Sequence, residues 1–347
     1  MRARDLGIPL AGKPGEHNAI TDVPGVEVGY VTLVEGDSVR TGVTAILPRG
    51  RDGVGTACAA GWYSLNGNGE MTGTTWIDEA GALDLPVLVT NTHAVGPCHR
   101  GVIDWVVAHR PELAAEWLLP VVAETWDGYL NDINGPHIQP RHAAQAIEAA
   151  RGGPTAEGSV GGGTGMNCYQ YKGGSGTSSR SVDPYTVGVF VQANFGARYE
   201  LTVAGIPVGA ALADDNPMAE FTVDGAGSVI AVVATDAPLL PGQAKALARR
   251  VPLGLARTGT TGSHFSGDIF LAFSTANTGG FEAGMLRFIP WRQLDPFYEA
   301  VVQGVEEAVL NALTAADEMV GRDGHRTPAL PHDRLKRLLN TRVPGEA

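Results

Sequence analysis

Three junctions between loop and strand carry the side chains best suited to chemistry. The first is Ser228, in Val223–Leu240 (VDGAGSVIAVVATDAPLL), where a flexible Asp-Gly-Ala-Gly stretch runs straight into an apolar strand. A serine at the head of a buried strand, directly after Gly227, stands where an N-terminal nucleophile would stand. Attack of its hydroxyl on the preceding carbonyl would cut the chain, and the freed amine could then assist the same hydroxyl. An ordinary Gly-Ser turn that opens a strand would have the same residues. The second junction is Arg257–Asn277 (RTGTTGSHFSGDIFLAFSTAN), in which Ser266 and Asp268 flank Gly267. A period of two puts both side chains on one face, either to serve one site or to cap their own turn. The third is Asn194, which closes VFVQAN; its amide could donate to an oxyanion or simply turn the chain.

Other candidates are less specific. Glu124, Asp127, Asn131 and Asp132 cluster in ETWDGYLNDING with Trp126 and Tyr129 between them. Carboxylates beside aromatics could hold an ammonium group by charge pairing and cation–π attraction, and a solvated loop has the same composition. The Gly-rich run Glu157–Arg180 lacks the GxxxxGK[ST] of a phosphate loop, because no Ser or Thr directly follows Lys172. It reads instead as a surface with room for a substrate or for chain rearrangement. His93, Cys98 and His99 lie close together but have no third and fourth partner at convincing spacing, so no metal is expected.

These residues need a scaffold, and the composition bounds it. The chain has 347 residues, with 37 Asp+Glu against 25 Lys+Arg for a formal net charge of −12. That balance argues against a nucleic-acid binder, which needs a basic footprint. No apolar run approaches the roughly 18–20 residues of a membrane helix, and the N-terminus lacks a continuous apolar signal region. Three widely spaced cysteines (Cys58, Cys98, Cys168) form no disulfide framework. A soluble protein of a reducing compartment, the cytoplasm, is expected. No Pro/Ser-rich linker divides the chain, so residues 1–347 read as a single domain.

β-Branched runs predict buried strands at Val43–Leu47, Leu85–Thr90, Tyr185–Ala193, Leu201–Val203, Ser228–Ala234 and Ile269–Ser274. Helical periodicity predicts helices at His99–His109, Arg141–Arg151, Gly242–Arg250 and Pro296–Val320, the last with Pro in its first turn. Long strands with helices to cover them mean a layered α/β or α+β architecture. The polar tail after Gly321 reads as a loosely packed end.

Taken together, the stretches NAITDVPGVEVG, RTGVTAILPRG, SLNGNGEMTG, NTHAVGPCHRGVIDW, ETWDGYLNDING, EGSVGGGTGMNC, YTVGVFVQANFG, GSVIAVVATDAPLLP and SGDIFLAFSTAN resemble the L-aminopeptidase/D-Ala-esterase/amidase family. Relatives of that family include the β-aminopeptidases, and the resemblance runs from about Leu6 to about His325. It implies a four-layer α-β-β-α sandwich, similar in layers to N-terminal-nucleophile hydrolases but with different connectivity. It also implies a self-processing serine aminopeptidase, cut between Gly227 and Ser228 into 1–227 and 228–347, without a cofactor. Ser228 would be the nucleophile for both steps, with Ser266 and Asp268 orienting its freed amine. The family carries Glu at the latter place, so Asp268 is a departure, shorter by one methylene. The oxyanion amide maps onto Asn194, and a family tyrosine onto Tyr129 unless Trp126 takes its place. Glu124 would bind the substrate's ammonium, with Trp126 beside it. The implied partners are small peptides, amino-acid amides or esters, α, D or β alike, and further copies of a two-chain protomer in a homo-oligomer. A self-cleaving N-acyltransferase of the ornithine acetyltransferase type, or an unprocessed non-enzymatic relative, are the alternatives.

Overall fold

The structure is a computed structural model that describes residues 1–221 and 227–341. In chain order the first strands are β1 (Glu27–Glu35), β2 (Val39–Leu47), β3 (Cys58–Ser64), β4 (Ala82–Leu83), β5 (Val87–Asn91) and β6 (Val121–Thr125). Then come β7 (Asn167–Cys168), β8 (Tyr171–Lys172), β9 (Gly174–Val182), β10 (Tyr185–Asn194), β11 (Gly227–Thr235) and β12 (Ser266–Ser274). A short ribbon, β13 (Met319–Val320) with β14 (Arg326–Thr327), follows near the end. The helices are α1 (Thr74–Ala80), α2 (Val95–His109), α3 (Pro140–Glu148), α4 (Val208–Ala211), α5 (Pro241–Ala248), α6 (Val251–Ala256), α7 (Asp295–Ala315) and α8 (His332–Asn340).

The strands form two main sheets, one of order β1-β2-β5-β6 and one of order β4-β3-β12-β11-β10-β9. Side-chain alternation decides how they stack. Along β11, Ile230, Val232 and Ala234 enter a core between the sheets with Ile46, Val87, Val89 and Phe190. Val229, Ala231 and Val233 enter a second core under α5, α6 and α7. Along β2, Val43, Ala45 and Leu47 turn outward to meet α2 and α3. The result is the expected α-β-β-α sandwich. Each fully buried Val or Ile in these three cores contributes about 1.5–3 kcal/mol. The parallel pair β11–β12 lies at the centre of the larger sheet and is buried on both faces, which is why both strands read as unbroken apolar runs.

Most expected elements are present within a few residues of their sequence bounds, and four readings are corrected. Leu201–Val203 is not a strand; Val203 makes only an isolated bridge to Ile206. The last long helix ends at Ala315, and Met319–Val320 belongs to β13. The polar tail is packed: Thr327, Leu330 and Leu335 are buried, and Pro328 O accepts the Lys172 backbone N–H at 2.8 Å. The Gly-rich run is interior, not surface. A Cβ on Gly162 would lie 2.2 Å from Gln192 Oε1 and 2.4 Å from Val89 O, so these glycines let backbone pass between the sheets.

Candidate active site

The strand ends at one edge of the sandwich open into a cavity of about 480 Å³, lined among others by Ser228, Asn194, Glu124, Trp126 and Glu70. Sheet register brings the first two together. Ser228 stands opposite Asn194 across the antiparallel β10–β11 pair and opposite Gly267 across the parallel β11–β12 pair. Ser228 and Asn194 are 2% and 5% exposed. The Asn194 amide is fixed at both ends: its Oδ1 accepts the Asn167 backbone N–H at 2.8 Å, and its Nδ2 donates to Trp126 O at 2.9 Å.

Ser266 and Asp268 are joined as expected, with Ser266 Oγ donating to Asp268 Oδ1 at 2.5 Å. Neither lines the cavity. Alternation explains why: Phe270 and Ala272 of β12 enter the core under the helices, and Ser266 and Asp268 share their parity. Ser228 shares the parity of Ile230 and faces the space between the sheets. The serine–carboxylate pair therefore lies on the far face of the strand from the Ser228 hydroxyl. Across the parallel pair Ser266 stands opposite Gly227, and the backbone nitrogen that the Asp268 carboxylate holds is that of Val229. Burial pushes the Asp268 carboxyl above its ordinary value, against the pull of hydrogen bonds from Ser266, Asn66 and the Val229 N–H.

Glu124 is the last residue but one of β6 and is 3% exposed. Its Oε1 accepts the Glu70 backbone N–H at 2.9 Å and its Oε2 accepts the Thr92 hydroxyl. Burial raises its carboxyl above the ordinary glutamate value, and these two hydrogen bonds oppose the rise. A buried carboxylate facing a cavity has the charge and the acceptors to pair with an ammonium group.

The rest of the ETWDGYLNDING run divides. Trp126 lines the cavity beside Glu124, but Tyr129 does not. The Tyr129 ring stacks on His325 and meets Phe221 edge-on, and its hydroxyl donates to Arg326 O at 3.4 Å. The turn after Trp126 carries Tyr129 behind Met218, so the expected tyrosine hydroxyl is not in the site. Asp127 is buried, accepts from Asn131 Nδ2 at 3.0 Å, and is pushed up by burial to about 7. Asp132 pairs with His137 at 2.9 Å. Among the described residues no group of three or more His, Cys, Asp or Glu is placed to hold a metal. Asp224, Gly225 and Ala226 of the expected linker lie outside the described residues.

Sequence reasoning assigned nothing to Asn66, Asn68, Thr92, Asn167, Gln170, Met218 or Phe265. All but Asn66 line the cavity, and Asn66 is bonded to Asp268. The signal was present in part, since asparagines in SLNGNGEMTG follow an apolar strand at a spacing that returns them to a neighbouring strand end.

Comparison with known proteins places this arrangement. The sequence profile of peptidase family S58 matches residues 18–327. The chain is 49% identical to the β-peptidyl aminopeptidase BapA of Sphingosinicella microcystinivorans, over 97% of this chain and 91% of that one. It is 43% identical to its namesake in Sphingosinicella xenopeptidilytica, over 99% and 92%. Among solved structures, it superposes on the L-aminopeptidase D-Ala-esterase/amidase of Ochrobactrum anthropi with a TM-score of 0.93 at 44% identity, covering 98% of both chains. That protein is described as a prototype of the serine aminopeptidases and a variant of the Ntn hydrolase fold. A Burkholderia sp. β-aminopeptidase superposes with a TM-score of 0.91 at 45% identity, covering both chains in full. The chain belongs to peptidase family S58 and is a serine aminopeptidase.

Proposed function

We propose that the chain cuts itself between Gly227 and Ser228, giving 1–227 and 228–347, and that the freed Ser228 is the nucleophile of an aminopeptidase. The observation that carries this reading is the position of Ser228 at the head of β11. Its hydroxyl shares a cavity with Asn194 and Glu124, while Ser266 and Asp268 sit on the other side of the strand. The amine made by cleavage would lie between its own hydroxyl and that serine–carboxylate pair.

The roles follow from that placement. Glu124 binds the ammonium of the N-terminal residue, which limits attack to the first acyl group. Ser228 Oγ attacks the carbonyl and gives its proton to its own α-amine, whose unperturbed pKa of about 7.7–8.0 leaves a neutral fraction at mildly alkaline pH. Trp126 O takes one hydrogen of the Asn194 amide, and the other serves the developing oxyanion. Such a donor is typically worth ~10²–10³ in rate. The α-ammonium then protonates the leaving amine, and water releases the acyl group by the reverse proton path. Substrates are short peptides, amides and esters with a free amino group. β-Amino acyl residues are included, because the named relatives are β-aminopeptidases. A reducing, cytoplasmic setting agrees with three buried free thiols, and exposed Met285, Phe288 and Trp291 supply apolar surface for a homo-oligomer.

The test is an intact mass with N-terminal sequencing. Wild-type protein should give two chains, the smaller beginning Ser-Val-Ile-Ala, and Ser228→Ala a single 36.2 kDa chain without amidase activity. Gly227→Ala should also stay uncut, because its Cβ would fall 2.1 Å from Asn194 O and 2.9 Å from Phe195 Cα, both backbone. An uncut wild type, or a Ser228→Ala protein that still cleaves, would refute the reading.

A further inference from the structure

The loop after β3 returns to β12 and grips it at the serine–carboxylate pair. Leu65 N donates to Asp268 O at 3.0 Å and Asn68 N to Ser266 O at 3.3 Å, extending the β3–β12 pairing. Between them Asn66 makes a double contact with one residue. Its Nδ2 donates to Asp268 Oδ2 at 2.8 Å, and its Oδ1 accepts the Asp268 backbone N–H at 2.6 Å. The same Nδ2 donates to Ser263 O at 3.0 Å. Both hydrogens of the amide are thus spent, and its orientation is set by the backbone N–H it accepts.

We propose that Asn66 is a positioning residue for catalysis, one that holds Asp268 ionised and turned so that Ser266 can only accept a proton bond from the Ser228 amine. This role presupposes the function proposed above and follows from the number of donors around Asp268. A carboxylate held on one oxygen alone can swing about its last bond. With Oδ2 pinned by Asn66, Oδ1 stays on the Ser266 hydroxyl. Ser266 has one hydrogen, and Asp268 takes it. Only lone pairs of Ser266 then remain for the Ser228 nitrogen, since Ser266 is paired with Gly227 across the parallel strands. The relay therefore runs one way, from carboxylate through hydroxyl to ammonium, and it stabilises the protonated amine that forms during acyl transfer. A donor on Oδ2 favours the ionised carboxylate. The charged or titratable groups on the elements packed against β12 are Tyr63 of β3 and Lys245 of α5, with His264 ahead of the strand and Glu70 and Glu124 at the cavity. Among the described residues none of them is a hydrogen-bond or ion-pair partner of Asp268.

The decisive variant is Asn66→Asp. It keeps the shape and the acceptor for the Asp268 N–H but replaces the donor on Oδ2 by a second carboxylate. The expected result is an acid limb of kcat moved upward by one pH unit or more, with KM for an aminoacyl amide within twofold of wild type. Asn66→Ala should lower kcat tenfold or more, again at nearly constant KM. Carbon-13 titration of the aspartate carboxyls, with the Asp268 signal assigned through Asp268→Asn, should show the same upward displacement in Asn66→Asp. A limb and a titration both left at their wild-type positions in Asn66→Asp would overturn the proposal. Hydrolysis by wild type in the same assay tests the parent reading separately, and the carboxyl titration does not depend on turnover.

Discussion

A carboxylate inside a wall of protein binds an ammonium far better than one in water, and Glu124 is so placed. The Glu124→Gln substitution keeps the side-chain shape, and Oε1 can still accept the Glu70 N–H. Removing one partner of a buried charge pair costs about 2–5 kcal/mol, so kcat/KM should fall about 10²-fold, with most of the loss in KM. Two groups shape the acid side of wild-type kcat/KM: the Ser228 α-amine, which must be neutral to act as base, and Glu124, whose carboxyl burial raises above the ordinary glutamate value. Where Glu124 is protonated the ammonium loses its partner, so the Gln variant should lose that second, lower step and keep the one set by the α-amine. Initial rates against substrate concentration across pH check both, and an unchanged KM would remove Glu124 from this role. The same residues show what a sequence can and cannot say at this scale. Glu124 and Trp126 were legible as an acidic–aromatic pair, whereas Tyr129 looked equivalent. Its direction is set by the turn at Asp127, which spacing does not reveal. Asn66 was not legible at all, because one asparagine in a loop acquires its meaning only from the strand it touches.

Elements built on β-branched residues were read directly, and those built on small residues were not. β10, β11 and β12 are runs of Val, Ile, Ala and Phe, and they appear where the sequence puts them. β9 is GSGTSSRSV, whose composition suggests a loop, yet most of it is buried beneath α7. Gly176 explains the choice of small residues. A Cβ there would lie 2.0 Å from Ala308 O and 2.8 Å from Ala312 N, so helix and strand approach at backbone distance. Gly176→Val should push α7 off the sheet and cost about 1–3 kcal/mol, the usual penalty for overpacking. The urea midpoint should fall with little change in slope. An unchanged midpoint would mean that the helix shifts without loss. Such a glycine is invisible to periodicity, because the constraint comes from an element some 130 residues further along the chain.

The proposed cut divides the sequence but not the molecule. β11 and β12 follow the cut, while their neighbours β10 and β3 precede it, and the six-stranded sheet interleaves all four in the order β3-β12-β11-β10. Separating the two chains would mean breaking both outer seams of that sheet and two apolar cores. Polar links cross the division as well. Glu307 of α7 is fully buried against Arg180 of β9 at 2.7 Å and Arg4 at 2.8 Å, and takes Asn18 Nδ2 at 2.6 Å. Burial works against ionisation of Glu307. The hydrogen bonds from Arg4 and Asn18 and the charges of Arg180 and Arg4 outweigh it, so its carboxyl is held below the ordinary value. A depressed folded value means that this stabilisation is fully present above the unfolded carboxyl's pKa of about 4.3 and is lost as pH falls through the folded value. Processed enzyme should therefore run as one species containing both chains in native mass spectrometry at neutral pH, and should part only in denaturant or acid. Glu307→Gln leaves Arg180 buried without its counter-charge and should cost about 3–5 kcal/mol. In that variant the chains should separate at lower urea, and the acid sensitivity should shrink because the titrating group is gone. Chains that separate in plain buffer at pH 7 would show that the seam formed by β10 and β3 is too weak to hold what the cut releases.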